Sequence, residues 1–436
     1  MKVIHFIVSK KTIQVFFTAW LILLLKSQAI QAQPLMELSY EDACQAVKNH
    51  SALRENPQIL SEIARMATQN IHSTWLPQAF LNAQATWQSE VTRVQIPIPG
   101  ISLPEIPQDQ YKLSAEISQL IYNGNTSVYR RNLELLQQKA NTLDVEMQLD
   151  LLEQQVDALF FQIQTLRRQE NILQWQTKTL EARRHSCEKR RINGMSTPGD
   201  CALLEAAILQ VAQKQTETRF SHASAIQQLS MLTGLNLHDS VKISFPDLAM
   251  RMNSSNYNRK DLNYLGVKQE MADAQIQLAL SRKKPQANAF LNAGMGRPGL
   301  NMLDPDFQPW LMTGIRLSLP LLQWGIPDRD ARIAGLQKQL TIHQQENLLQ
   351  SLDRKNAELD SEIKKTEEII ENDRKLLVLR QQITTEAQSQ YDNGVLPSSE
   401  FTARMAEEAE ARLNLEIHQL QLEYVRLKKY KLFNNQ

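Results

Sequence analysis

The chain carries one pentapeptide twice, Ala-Phe-Leu-Asn-Ala at Ala79–Ala83 and again at Ala289–Ala293. Each copy closely follows a Pro-Gln pair, Pro77-Gln78 and Pro285-Gln286. Further on, Leu317-Ser318 answers Ile117-Ser118, and Asn393-Gly394 answers Asn193-Gly194, both 200 residues later. A duplication constrains the fold before any side-chain chemistry is considered, because each half must build an equivalent unit. Two copies are too few for a solenoid and fit a pseudo-twofold protomer.

Residues 1–32 read as a secretory signal peptide. Lys2, Lys10 and Lys11 precede a largely apolar run, Ile13–Leu25, and small residues follow at Ser27, Ala29 and Ala32, placing cleavage after Ala32 or Ala29. The run is shorter than the ~20 residues a spanning helix needs, which argues against a membrane anchor. No later stretch has spanning length, so any membrane segment must be of another kind. A formal charge of +1 over 436 residues argues against nucleic acid as a partner. Three cysteines, none in a Cys-x-x-Cys spacing, make neither a disulfide scaffold nor a zinc site.

Residues Leu38–Thr74 read as helix with a break near Asn56-Pro57. The period then becomes two. Leu81, Ala83, Ala85 and Trp87 alternate with Asn82, Gln84, Thr86 and Gln88, and beyond a Pro-rich loop Tyr111, Leu113, Ala115 and Ile117 alternate with Lys112, Ser114, Glu116 and Ser118. The second half repeats this with Leu291, Ala293 and Met295, then with Leu311, Thr313, Ile315 and Leu317. Such alternation marks strands with one apolar and one wet face. Strands are expected at about 78–92, 109–122, 286–297 and 309–322, close to the length a tilted transmembrane strand requires. Trp75, Tyr122 and Trp324 at one end, with Tyr111 and Trp310 at the other, are placed as interfacial girdles.

After each strand pair comes a glycine, Gly124 or Gly325, and then an apolar stripe at near-heptad spacing. In the first half it runs Leu133, Leu136, Ala140, Leu143, Met147, slips once, and resumes at Leu152, Val156, Leu159, Ile163. Breakers at Asn193-Gly194 with Pro198-Gly199, and at Asn393-Gly394 with Pro397, turn each long helix back on itself. Long hairpins are expected at about 126–232 and 327–432, within repeats 33–235 and 259–436 joined by a linker or equatorial segment at 236–258. The fold class is mainly α with transmembrane β, each repeat reading helix, strand, strand, long helix, helix.

Four strands cannot close a barrel, and an open sheet edge is not tolerated in hydrocarbon. Two chains would close eight strands around an interior filled by side chains, whereas three close twelve and leave a pore. A homotrimer is expected, with Lys112, Glu116 and Arg316 among the residues facing water and the apolar faces meeting outer membrane lipid.

At this point the chain resembles the TolC-like outer membrane efflux proteins. The resemblance covers essentially the whole mature chain and rests on order and spacing. Its elements are Leu38–Ala46, Leu229–Leu235 with its Leu-Thr-Gly, Arg259–Leu262, Leu317–Gly325 (Leu-Ser-Leu-Pro-Leu-Leu-Gln-Trp-Gly) and the Tyr391–Gly394 turn. It implies a trimeric 12-stranded β-barrel on an α-helical periplasmic tunnel, in the outer membrane of a Gram-negative bacterium. It also implies a periplasmic adaptor and an inner membrane transporter as partners in tripartite efflux or type I secretion, with no enzymatic activity and no cofactor. The second repeat departs from the pattern in lacking a counterpart to Leu-Thr-Gly and in carrying Pro397 with Ser398-Ser399 at its tip. The alternative from another class, a periplasmic coiled-coil adaptor or scaffold, should show one hairpin interrupting a small β-domain rather than two hairpins alternating with strand pairs.

No catalytic constellation stands out, and the scattered histidines have no metal-ligand spacing. By position in the family, Gly194, Met195, Ser196, Thr197, Gly394, Val395 and Leu396 are the adaptor-docking tips, where helix ends leave backbone groups open. Asp200 and Asp392 are candidate gate residues, forming acidic rings across the trimer. Cys187 and Cys201 lie seven residues either side of Gly194, at similar height on an α-hairpin. Ala387 and Phe401 hold the equivalent places, which suggests an apolar packing pair; a disulfide is the alternative in an oxidising compartment.

Overall fold

The computed structural model describes residues 37–91, 106–246, 256–302 and 304–435. The expected signal peptide, most of the Pro-rich loop and the middle of the 236–258 segment lie outside them.

In chain order the elements of the first half are β1 (Glu37–Ser39), α1 (Tyr40–His50), a 3₁₀ turn at Ala52–Glu55, α2 (Asn56–Ser73), β2 (Gln78–Trp87), β3 (Asp109–Tyr122), α3 (Thr126–Ile192), α4 (Pro198–Thr233) and β4 (Lys242–Ser244). The second half contains β5 (Asn258–Arg259), α5 (Lys260–Ser281), β6 (Gln286–Arg297), β7 (Gln308–Ser318), α6 (Ile326–Asp392), α7 (Ser398–Phe433) and β8 (Asn434–Asn435). The 200-residue offset holds to the residue: α3 and α6 are both 67 residues long, α4 and α7 both 36. At ~1.5 Å per residue the long helices extend about 100 Å.

Several boundaries differ from the sequence reading. The helical break falls at Ser51–Glu55, and Pro57 lies in the first turn of α2, where its missing N–H costs nothing. Strand β2 ends at Trp87, and β7 spans 308–318 because Pro320 cannot continue the ladder. The 236–258 segment is more than a linker: β4 pairs in parallel with β1, and Leu237, Val241 and Ile243 are buried beneath it. At the opposite pseudo-symmetric place β5 pairs in parallel with β8, tying the end of α7 to the start of α5.

Strands β2, β3, β6 and β7 form one antiparallel sheet in that order, leaving β2 and β7 as open edges. Below it the cores are helical. Val156, Phe160, Ile163, Leu229 and Leu427 centre one cluster beside α1, and Leu180, Leu204, Tyr391 and Phe401 centre another near the hairpin tips. The slip in the heptad stripe of α3 has a physical cause. Asp150 and Asp157 turn inward there, against Lys260 (2.8 Å) and Lys431 (2.8 Å), and Tyr40 donates its hydroxyl to Asp157 at 2.7 Å. A buried carboxylate survives only with such partners, so the apolar stripe is interrupted where they enter.

Candidate channel wall and hairpin tips

The register sorts the sheet into two faces. Ala83 stands opposite Leu113, Leu113 opposite Met295, and Ala293 opposite Leu311. Side chains of paired residues share a face, so Leu81, Leu113, Ile117, Leu291, Leu311 and Ile315 lie on one continuous apolar surface. That surface is bare: Leu81 is 75% exposed, Ile315 72% and Leu317 70%.

Lys112, Glu116 and Arg316 lie together on the opposite face. Lys112 pairs with Gln84 and Gly296, Glu116 with Phe80 and Asn292, and Arg316 with Asn288. This face also carries rings. The Lys112 ammonium sits 5.1 Å from the centre of Trp310, and the Arg316 guanidinium 5.2 Å from that of Phe290. Gly294 makes room for the first ring, since a Cβ there would stand 2.6 Å from Trp310. Trp310 is therefore corrected from an outer girdle to the polar face, because strand parity overrides its position near an end. Sequence alternation marked the charged residues of this face but gave no signal for the rings, whose seats depend on glycines in a neighbouring strand.

Both hairpin tips close in the same way. Asn193 and Asn393 end the long helices, and Gly194 (φ 71°) and Gly394 (φ 75°) adopt the left-handed conformation that glycine enters without a Cβ clash. The N–H groups of Met195 and Val395 reach back to the carbonyls of Arg190 (2.8 Å) and Gln390 (2.9 Å). Those of Gly194 and Gly394 reach Arg191 and Tyr391, both at 3.1 Å. These are Schellman closures. The carbonyls of Arg190, Arg191, Gln390 and Tyr391, expected to be open at these helix ends, are therefore already engaged. What the tips present is side chain: Met195 is 66% and Val395 75% exposed.

The acids expected near a gate both have partners within the chain. Asp200 completes a capping box with Thr197, accepting from its hydroxyl at 2.7 Å and its N–H at 3.1 Å while its own N–H donates to the Thr197 hydroxyl. Those bonds, with a smaller effect from nearby Ser398, hold its carboxyl below the usual carboxylate range. Both carboxylate oxygens of Asp392 accept from one terminal nitrogen of Arg183 in α3, at 2.8 and 3.0 Å. Arg190 also crosses between hairpins, lying 4.0 Å over the Tyr391 ring and donating to the Tyr391 carbonyl. Sequence reasoning missed Arg183, Arg190 and Tyr391, because nothing along the chain indicates that α3 meets α6 at their far ends.

The cysteines are bonded. Cys187 and Cys201 form a disulfide with Cα atoms 5.7 Å apart, correcting the expected apolar pair. Both remain part of the buried apolar cluster with Ala387 and Phe401, which explains why position and composition suggested packing. Among the described residues no group of three or more His, Cys, Asp or Glu is placed to hold a metal. No described helix is long and apolar enough to cross a membrane.

No protein-family model matches the chain, and no curated protein matches it in sequence. Solved structures do match its fold. The outer membrane protein VceC from Vibrio cholerae superposes with a TM-score of 0.67 at 15% identity, over 90% of this chain and 95% of that one. The Campylobacter jejuni CmeC outer membrane channel gives 0.65 at 15% identity, covering 90% and 85%. The open state of the Neisseria gonorrhoeae MtrE outer membrane channel gives 0.60 at 15%, covering 90% and 88%. The chain thus has a TolC-like fold, the architecture of outer membrane channels.

Proposed function

We propose that three copies of this chain form an outer membrane channel of a Gram-negative bacterium, the passive exit duct of a tripartite efflux or type I secretion system. The observation that carries this reading is the sheet, apolar on one face, polar on the other, and open at both edges. An exposed apolar sheet face and two unpaired edges together are an aggregation hazard in water. In a bilayer, closing edge on edge removes the hazard: β7 of one copy pairs with β2 of the next, and twelve strands enclose a pore. The helices beside those edges support the same assembly. Ile59, Ile63 and Met66 make an exposed stripe on α2, and Ile333, Leu336 and Leu340 make another on α6. Each stripe adjoins one sheet edge, so closure brings them together.

In this assembly Lys112, Glu116 and Arg316 line the water-filled barrel, and the α-helical tunnel continues it into the periplasm. Gly194–Thr197 and Gly394–Leu396 receive the hairpins of a periplasmic adaptor coupled to an inner membrane transporter. Asp392, held by Arg183, and Asp200 stand at the narrow end and govern its opening. The duct carries no cofactor and performs no reaction. Fractionation with gel electrophoresis of unheated and heated samples tests the assembly. A heat-modifiable trimer in the outer membrane that conducts ions in planar bilayers is the expected result. A soluble periplasmic monomer would overturn it in favour of an adaptor or scaffold.

A further inference from the structure

Positive charge is concentrated at the helical end of the sheet, and the opposite end lacks such a band. Just below the strands, Arg130 and Arg131 lie in the first turns of α3, Arg282, Lys283 and Lys284 follow the end of α5, and Arg329 and Arg332 lie in the first turns of α6. Three acids lie near these seven cations among the described residues: Asp328 and Asp330, already engaged by Lys283 and by Arg282 at 2.9 Å, and Glu134, one turn beyond Arg130 and Arg131. Arg130, Arg131 and Arg332 are exposed and form no ion pair among the described residues. At the other end of the sheet the described residues reverse the sign: Glu90, Asp109, Asp304 and Asp306 stand against Arg297, with Lys112 one rung further in. General surface charge would not segregate in this way.

What lies beside the band identifies its partner. Directly between the strands and the cations is a ring of bare apolar side chains, with Leu321 88%, Trp324 77%, Leu322 69% and Leu76 51% exposed. Arg329 donates to the Trp324 carbonyl at 2.7 Å, so cation and indole are held at one level. Between the end of α2 and the start of α3 runs a groove of about 340 Å³ in which Trp75, Ile71 and Val128 meet Arg131, His72 and Ser127. Apolar surface, then indole, then arginine is the order in which a protein meets acyl chains, the interfacial layer and phosphates. A water-soluble anion or an acidic protein would have no use for the apolar ring.

We propose that this band binds anionic phospholipid headgroups of the periplasmic leaflet and that the groove between α2 and α3 seats one of them, its phosphate on Arg131. The inference rests on the channel reading above and adds the lipid class and the residues. Phosphate binding there holds the barrel at a set depth, because sliding in either direction moves the arginines into hydrocarbon or away from the lipid.

The test uses the full-length trimer in vesicles of phosphatidylcholine alone and of phosphatidylcholine with phosphatidylglycerol, with lipids retained after detergent extraction counted by native mass spectrometry. The protein should retain phosphatidylglycerol preferentially, and the preference should fall as salt is raised. The triple variant R130Q/R131Q/R332Q should lose that preference by about tenfold or more, each cation near a lipid surface contributing several-fold. The control triple R354Q/K364Q/K365Q, on exposed positions far along α6, should keep it. If the triple variant does not assemble, the salt dependence of the unaltered protein decides. Insertion and conductance with no preference for the anionic lipid would overturn this inference and leave the channel intact. Failure to enter either vesicle would overturn both.

Discussion

The two helical hairpins have identical lengths and turn on the same Asn-Gly closure, yet they are held together by different means. In the first, a disulfide joins α3 to α4 seven residues from the turn, and Thr197 and Asp200 cap the returning helix. In the second, Ala387 and Phe401 stand where the cysteines would be. Phe401 is fully buried and stacks on Tyr391 at 5.1 Å, and the returning helix begins at Ser398 with Pro397 at its N-cap and no side-chain cap. One tip is closed covalently, the other by noncovalent contacts: the Tyr391–Phe401 stack, the Thr384 hydroxyl on the Arg404 carbonyl (3.3 Å) and the Arg380–Glu407 ion pair. Duplication preserved the geometry of the turn, which the backbone demands, and left free the means of holding it. Cross-links join the hairpins in both directions: Arg183 and Arg190 of the first reach Asp392 and Tyr391 of the second, while Arg412 and Lys431 of the second reach Trp175 and Asp157 of the first.

The contrast can be broken most severely from the apolar side. Phe401→Ala should destabilise the second tip by about 3–4 kcal/mol, leaving a cavity against Tyr391, and hydrogen exchange across 388–400 should rise while 188–200 changes little. Removing the disulfide with Cys187→Ser and Cys201→Ser should cost about 3 kcal/mol, as expected for a closed loop of ~15 residues, and should bring the exchange of 188–200 towards that of its counterpart. Equal exchange at both tips before any substitution would dissolve the comparison.

Thr197→Ala should cost about 1 kcal/mol and act only on the first hairpin. It also carries a pH signature. Because the Asp200 carboxyl is held below its ordinary value by Thr197, its contribution is complete above the usual carboxylate range, near pH 4, and is lost as pH falls through the lowered value. The first tip should therefore loosen in acid, and the variant should lose that sensitivity; exchange measured over pH 2–5 checks both. The smallest effect on stability, well under 1 kcal/mol, is expected from Asp392→Asn, since the carboxylate is 41% exposed and solvent screens its pair with Arg183. Its effect on conductance should be the clearer one, a higher open probability in planar bilayers; an unchanged channel would remove Asp392 from the gate.

Much of this was readable along the chain. Alternation with period two marked all four strands and assigned Lys112, Glu116 and Arg316 to one face. The Asn-Gly turns placed both tips, because glycine in the left-handed region is a local requirement. Phe290 and Trp310 were less legible: their seats on Gly314 and Gly294 are cross-strand facts, and Trp310 was assigned to the wrong face by its nearness to a strand end. Asp150 and Asp157 appeared only as a fault in the heptad stripe, since their partners Lys260 and Lys431 are contributed from beyond residue 250.

What the sequence by itself determined is whatever depends on neighbours in the chain: the duplication, the strand periods, the helix lengths and the turns. Its alternating strands, four to a chain, led to the expectation of a membrane and more than one copy. Tertiary structure alone decided which residues meet across hundreds of positions. It joined Cys187 to Cys201 where composition favoured simple packing, set Arg183 on Asp392, and gathered the arginines of three separate helices into one band beneath the sheet. Contacts of that kind depend on how 67-residue helices align side by side, and a small change in their register would replace every partner at the far end.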